Sequence, residues 1–324
     1  MPLFAQIVAL LHLFIETAYK NNKVLIRMTK IAQNAFFCAL CIPLLAEVKT
    51  EQTTSKDWLA MIDWQNRFPA SITHNPSSGS YGKARLGFEL IKKDDQGVTD
   101  FEYYRYNNVF KGSIAGTETS FGDTTDLMLT GFRQWQWNPE YAIQLIYAAE
   151  FAAEDSLSLT DGFRWGLGTA ARWRPAADTD LALGILIQDR FENSILPIPY
   201  VKMIWTPCRY AEVEFRATGL QNGFIIRGFL TEDKATTVDL VVAYETLTFQ
   251  LKEVSYGTRA VAVGDVVTRL GVTQFLEPTG TWFIRFSGEY INFSRYTFNH
   301  DGETQGVFQT RPAWATNLRI GARF

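Results

Sequence analysis

Alternation with a period of two runs through most of this chain, and it limits the available folds more than any other feature. Tyr141, Ile143, Leu145, Tyr147, Ala149 and Phe151 fall on one side of an extended segment, with Gln144 and Glu150 on the other. Phe163, Trp165, Leu167, Ala171 and Trp173 alternate with Arg164, Gly166, Gly168 and Arg172. Val238, Leu240, Val242 and Tyr244 alternate with Asp239 and Glu245, and Trp282, Ile284, Phe286 and Tyr290 with Arg285, Ser287 and Glu289. Leu86, Phe88, Leu90 and Ala211, Val213, Phe215, Ala217 repeat the pattern more weakly. Successive side chains of a strand point to opposite faces, so each segment is a strand with one apolar and one polar face. A helix would need a period near 3.6.

What covers the apolar face decides the fold. No run of eighteen apolar residues follows Ala46, so that region offers no membrane-spanning helix. Aromatic residues make up 14% of the chain, including 24 Phe, 13 Tyr and 9 Trp. That richness suits either the core of a soluble sandwich or the wall of a membrane barrel. The connections discriminate better. Short ones at 137–140, 175–180, 206–209 and 276–280 alternate with longer polar ones at 109–122, 151–162, 189–196, 254–263 and 296–311. An up-and-down outer-membrane barrel has short turns on one side and longer loops on the other, whereas a sandwich has no reason to sort them.

The N-terminal region points to export. From Met28, Lys30 gives a short basic start, 31–45 is apolar, Ala46 is small, and the stretch that follows is polar. This order reads as a signal peptide cleaved after Ala46, with translation starting at Met28; a packed helical hairpin is the alternative. Residues 1–46 are then an extension plus signal, 47–80 a periplasmic segment or first strand, and 81–324 the barrel. Cleavage would leave Cys208 as the lone cysteine, which rules out an intramolecular disulfide and a cysteine metal cluster.

The expected fold is therefore all-β: an antiparallel, up-and-down transmembrane barrel of about 12–14 strands, since single-chain bacterial barrels favour even numbers. Tyr141, Phe151, Phe163, Trp173, Trp282 and Tyr290 bracket their strands as membrane-interface girdles would. Near Tyr244 the apolar parity slips to Leu247, Phe249 and Leu251, which predicts a bulge there. The last strand carries Leu318, Ile320, Ala322 and Phe324 on one face, against Asn317, Arg319, Gly321 and Arg323. It resembles the C-terminal signature by which bacterial outer-membrane barrels are inserted, with Phe324 as the terminal signal. The stretches GILIQDRFENSILPIPYVKMIW, TGLQNGFIIRGFL and VDLVVAYETLTF are similar to an uncharacterised family of bacterial outer-membrane barrels. That resemblance implies fold, an outer-membrane location, lipid as surroundings and the barrel-assembly machinery as partner. It transfers no catalytic residue.

In such a barrel the polar face is the functional one. Arg164, Arg172, Glu212, Glu214, Asp239, Glu245, Arg269, Arg285, Glu289 and Arg319 are the candidate lumen residues. Opposed acids and bases would either line a water-filled pore for small polar solutes or fill and stiffen a closed barrel. Net charge is −3 with both signs dispersed, which does not suit nucleic acid. For an enzyme, such as a membrane lipid hydrolase, only His300 beside Asp301 stands out, and no serine sits in a nucleophile setting. No cofactor and no metal site is expected.

Overall fold

The computed structural model describes residues 58–73, 78–113, 121–155, 157, 162–189, 195–218, 221–252, 260–277, 280–300 and 303–324. The expected start at Met28 and the signal peptide lie outside the described residues, as does Asp301. Fifteen strand segments follow one another: β1 Trp58–Ser71, β2 Ser78–Asp94, β3 Gly97–Ser113, β4 Thr124–Gln136, β5 Tyr141–Glu154, β6 Phe163–Ala176, β7 Thr179–Gln188 and β8 Leu196–Cys208. The rest are β9 Ala211–Ala217, β10 Gln221–Phe229, β11 Thr236–Gln250, β12 Ala260–Phe275, β13 Trp282–His300, β14 Glu303–Thr310 and β15 Ala313–Arg323. No helix occurs among the described residues.

Neighbours in sequence pair antiparallel from β1 through β13, and β15 pairs with both β13 and β1, closing the sheet. β14 meets the upper part of β13, with Ser294 opposite Thr310. β15 meets the lower part in the same frame, with Ile291 opposite Ala313. The two are halves of one strand interrupted at Arg311-Pro312, where proline has no N–H for the ladder. The wall is thus a closed antiparallel barrel of 14 strands. At the seam, Trp58 and Phe324 exchange backbone hydrogen bonds of 3.0 Å in both directions. Such closure leaves no edge strand to satisfy. β1 comes from the 47–80 segment, so the wall begins at Trp58 rather than Tyr81.

The chain termini of the barrel and the β2–β3, β4–β5, β6–β7, β8–β9, β10–β11 and β12–β13 connections share one end, here the turn side. These connections hold two to six residues. In the β10–β11 turn, the Thr231 hydroxyl and the Ala235 N–H hold the Asp233 carboxyl below its ordinary pKa, and Lys234 takes φ 56°. The loop side departs from expectation. Much of the polar sequence assigned to long loops continues as strand: β3 runs to Ser113, and 296–311 is almost wholly the β13–β14 hairpin. The β9–β10 connection there is only 218–220.

Outward positions carry the apolar alternation. Leu183 and Ile185 on β7 are 59% and 56% exposed, and Leu240, Val242, Phe224, Ile226 and Phe286 are exposed around the same wall. A contiguous apolar belt of this kind is costly in water and suits a hydrocarbon surround.

The expected bulge near Tyr244 is absent. β11 pairs with β12 in one unbroken frame from Thr236 to Gln250, so Leu247 and Phe249 turn inward with the rest of their parity. The irregularities lie elsewhere. β12 and β13 shift between Val266 and Val267, which leaves Asn292 as an extra residue between Ile291 and Phe293. β1 and β2 shift between Arg67 and Ala70, next to Pro69. An extra residue exchanges the two faces of a strand from that point onward. So Ile291 is buried below the β13 bulge, whereas Ser294 and Tyr296 are buried above it.

Candidate functional site

The lumen has three zones stacked from turn side to loop side. Each follows from which side chains the alternation, with the shifts in β1 and β13, turns inward.

The broadest zone is a belt of ion pairs. Asp63 on β1 is fully buried and accepts from Arg85 Nη2 at 2.7 Å, Arg319 Nε at 2.5 Å and Asn317 Nδ2 at 2.8 Å, crossing the seam between β15, β1 and β2. Glu289 accepts from Arg269 Nε at 2.7 Å and Gln65 Nε2 at 2.8 Å, and Arg269 reaches Glu245 at 3.3 Å. Arg285 donates to Asp239 at 2.6 Å. On β8–β10, Glu214 takes Arg216 at 2.5 Å, Arg227 at 3.0 Å and Lys202 at 3.6 Å, while Arg227 also binds Glu212. Arg164 pairs with Glu150, and Arg172 with Asp180. All ten candidate lumen residues therefore point inward, and each is engaged by an opposite charge. Burial of both partners demands such pairing, because an isolated charge in this interior would be strongly destabilising.

Among the described residues one acidic group brings carboxylate oxygens within 4.8 Å of one another: Glu89, Asp100 and Glu102 on β2 and β3. Arg319 lies 3.7 Å from Glu89 and offsets part of that charge.

On the loop side the interior is aromatic. Tyr81, Phe110, Phe121, Tyr296, Phe298 and Phe308 interlock, with Tyr296 and Phe308 stacked at 4.3 Å and Tyr81 edge-on to Tyr296 at 5.0 Å. Phe249 of β11 and Leu251 just beyond it reach the same cluster. Beside it the walls touch across the lumen: Gln250 of β11 forms a parallel bridge with Ala153 of β5, although these strands are far apart around the barrel. Glu154 fastens this contact. Its carboxylate accepts the Gly122 N–H at 2.6 Å and the Lys252 N–H at 3.0 Å, tying two loop-side connections to β5.

At the turn side, between β2 and β8, a cavity of about 390 Å³ remains. Phe132, Ala182, Tyr200 and Ile204 form its apolar surface, and Gln134, Gln144, Arg172 and Lys202 reach it as polar groups.

The six proposed girdle residues lie on the outer face. Tyr141 stacks on Trp173 at 6.5 Å toward the turn side, and Phe151 is opposite Phe163 in register toward the loop side. Trp282 is opposite Ala322, and Tyr290 packs on Trp314 at 4.9 Å. Sequence reading missed the larger turn-side group, Trp135, Trp137 and Trp205, all exposed. Their position next to 137–140 and at the end of β8 was the available signal. Cys208 is free and exposed, and His300 ends β13 opposite Glu303.

No protein-family model and no curated protein matches the chain. Solved structures similar to it are barrels. An outer membrane channel from Pseudomonas putida F1 shares 11% identity over 86% of this chain and 100% of its own, with TM-score 0.44. The P. putida toluene transporter TodX shares 8% over 84% and 91%, with TM-score 0.39. The KdgM porin in complex with disordered oligogalacturonate shares 10% over 82% and 99%, with TM-score 0.34. Likenesses this distant carry no information about a solute.

Proposed function

We propose that the protein is an outer-membrane channel for small polar solutes, held here with its loop-side mouth shut. The observation that carries this reading is the asymmetry of the lumen: a polar, cavity-bearing turn side and a loop side filled by aromatic residues. A barrel built only for rigidity has no need of an open vestibule at one end. In the membrane the short-turn end would face the periplasm and the plug the exterior. Phe324 would act as the insertion signal read by the barrel-assembly machinery, and the exposed apolar belt would contact lipid. Passage would be diffusive, along the charged wall, without covalent chemistry or cofactor. Closed pairs such as Arg164–Glu150 and Arg285–Asp239 would set ion preference once the plug moves.

The β5–β11 contact favours a second reading, a permanently filled barrel, and conductance separates the two. Purified protein in planar bilayers should be nearly silent. The double variant Tyr296→Ala, Phe308→Ala should show discrete steps whose ion selectivity changes on adding Arg164→Ala or Arg285→Ala. Silence from a double variant that still migrates as a folded, heat-modifiable barrel would retire the channel reading.

A further inference from the structure

The turn-side cavity has a chemistry that selects among polar solutes. Its more buried charged neighbours are already matched to one another, while Lys93 and Asp95 lie exposed at the β2–β3 rim. Arg172 engages Asp180 through Nε at 2.8 Å and Gln134 Oε1 through Nη1 at 2.7 Å. Arg174 shares Asp180 at 3.3 Å, Asp94 takes Arg133 at 2.7 Å, and Lys202 lies 3.6 Å from Glu214. A charged solute entering here would have to break pairs that desolvation makes costly to separate.

What stays both buried and unmatched is uncharged. Gln144 lines the cavity from β5 and is 5% exposed, and its Oε1 has no hydrogen-bond partner. A buried acceptor without a donor is destabilised until something supplies one. The terminal amide turns about a broad torsion, so it can be presented to a guest without rebuilding β5. In the same lining, Phe132, Tyr200 and Ala182 offer a partly aromatic surface from β4, β8 and β7. The volume is in the range of small-molecule sites, which combine apolar walls with a few placed polar groups.

We infer that this vestibule is a binding site for a neutral, hydroxylated solute of the size of a mono- or disaccharide. Its hydroxyls donate to Gln144 while its C–H face lies on Phe132 and Tyr200. The inference rests on the channel reading only for its place in a transport path, since binding to a vestibule needs no open plug.

Saturation-transfer NMR on the full-length, detergent-solubilised protein tests it with glucose, maltose, gluconate and methylammonium as probes. Glucose or maltose should receive saturation, with the two charged probes receiving little. Gln144→Leu should weaken the neutral probe about three- to tenfold, the loss expected for one neutral hydrogen bond, and Ala182→Trp should abolish binding by filling the cavity. Both variants must still run as folded barrels. Transfer to gluconate or methylammonium equal to that for glucose would overturn the assignment of class. Absence of transfer to every probe, or binding indifferent to Gln144→Leu and Ala182→Trp, would overturn the site. A plug variant that conducts without such binding removes only this inference, whereas sugar binding by a barrel that never conducts removes only the channel.

Discussion

The two ends of the lumen solve the same packing problem with opposite chemistry. On the turn side and around the seam, strands are held by carboxylates that collect up to three donors, as at Asp63. On the loop side, they are held by rings, as in the Tyr296–Phe308 stack. A charged layer keeps a lumen wettable and fixes strand register through directional bonds. An aromatic layer excludes water and yields by rotating side chains. That division puts the rigid part where the barrel must stay closed on itself and the displaceable part where a passage would open.

The sharpest way to break this contrast is Asp63→Ala. It leaves Arg85, Arg319 and Asn317 without their shared acceptor across the seam. Removing one partner of a buried ionic cluster costs about 3–5 kcal/mol. Urea titration in micelles, followed by the gel shift between folded and heated forms, should show that loss. A change below about 1 kcal/mol would mean that the ring of backbone bonds alone secures the seam.

The aromatic counterpart is Phe308→Ala. Phe308 is fully buried, so truncation should cost about 3 kcal/mol, at the lower end of the Phe→Ala range because neighbouring rings can move into the space. Its signature should differ in kind. Asp63→Ala should lower stability without current, whereas Phe308→Ala should add brief openings in a bilayer. Current from both, or from neither, would erase the functional distinction between the two ends.

How much of this was readable beforehand depends on the same contrast. Alternation assigns faces by polarity, so it found Arg164, Glu214, Arg285 and Arg319 wherever the lumen is polar and the outside apolar. It failed where both faces are apolar. Phe249 and Leu251 looked like a change of parity in β11, but the frame with β12 is continuous and the lumen itself becomes hydrophobic. Among the real shifts, those at Arg67/Ala70 and at Val266/Val267 left no mark in hydropathy because aromatic residues lie on both sides of them. Pro69 was the one local hint. The even strand number came from the preference of single-chain barrels, with 47–80 left open as a first strand, and the seam pairing of β1 with β15 then follows from closure. The turn-side cavity was not legible, because it is bounded by residues of seven strands, β2 to β8, that share no pattern in sequence.

Finer tests ask whether the two ends are coupled. Arg67 sits at the border: it donates to Thr310 at 2.8 Å, lies 3.6 Å from Asp265, and reaches the Tyr296 hydroxyl at 3.4 Å. Tyr296→Phe keeps the ring stack and removes only the hydroxyl, with its links to Arg67 and Tyr81, so it should cost about 1 kcal/mol and raise opening frequency less than Phe308→Ala. Equal openings would place the latch in the hydrogen bond rather than in ring packing.

The smallest effect belongs outside the lumen. Arg209 and Glu232 approach to 2.9 Å between neighbouring turns, yet their side chains are 69% and 75% exposed. Solvent screens such a pair, and ordering two long side chains offsets its attraction. Arg209→Ala should therefore leave urea midpoint and conductance where they were, even though its geometry matches the interior pairs. If it lowered the midpoint as Asp63→Ala does, proximity of charges rather than their burial would be what stabilises this wall, and the contrast between its ionic interior and its solvated turns would lose its physical basis.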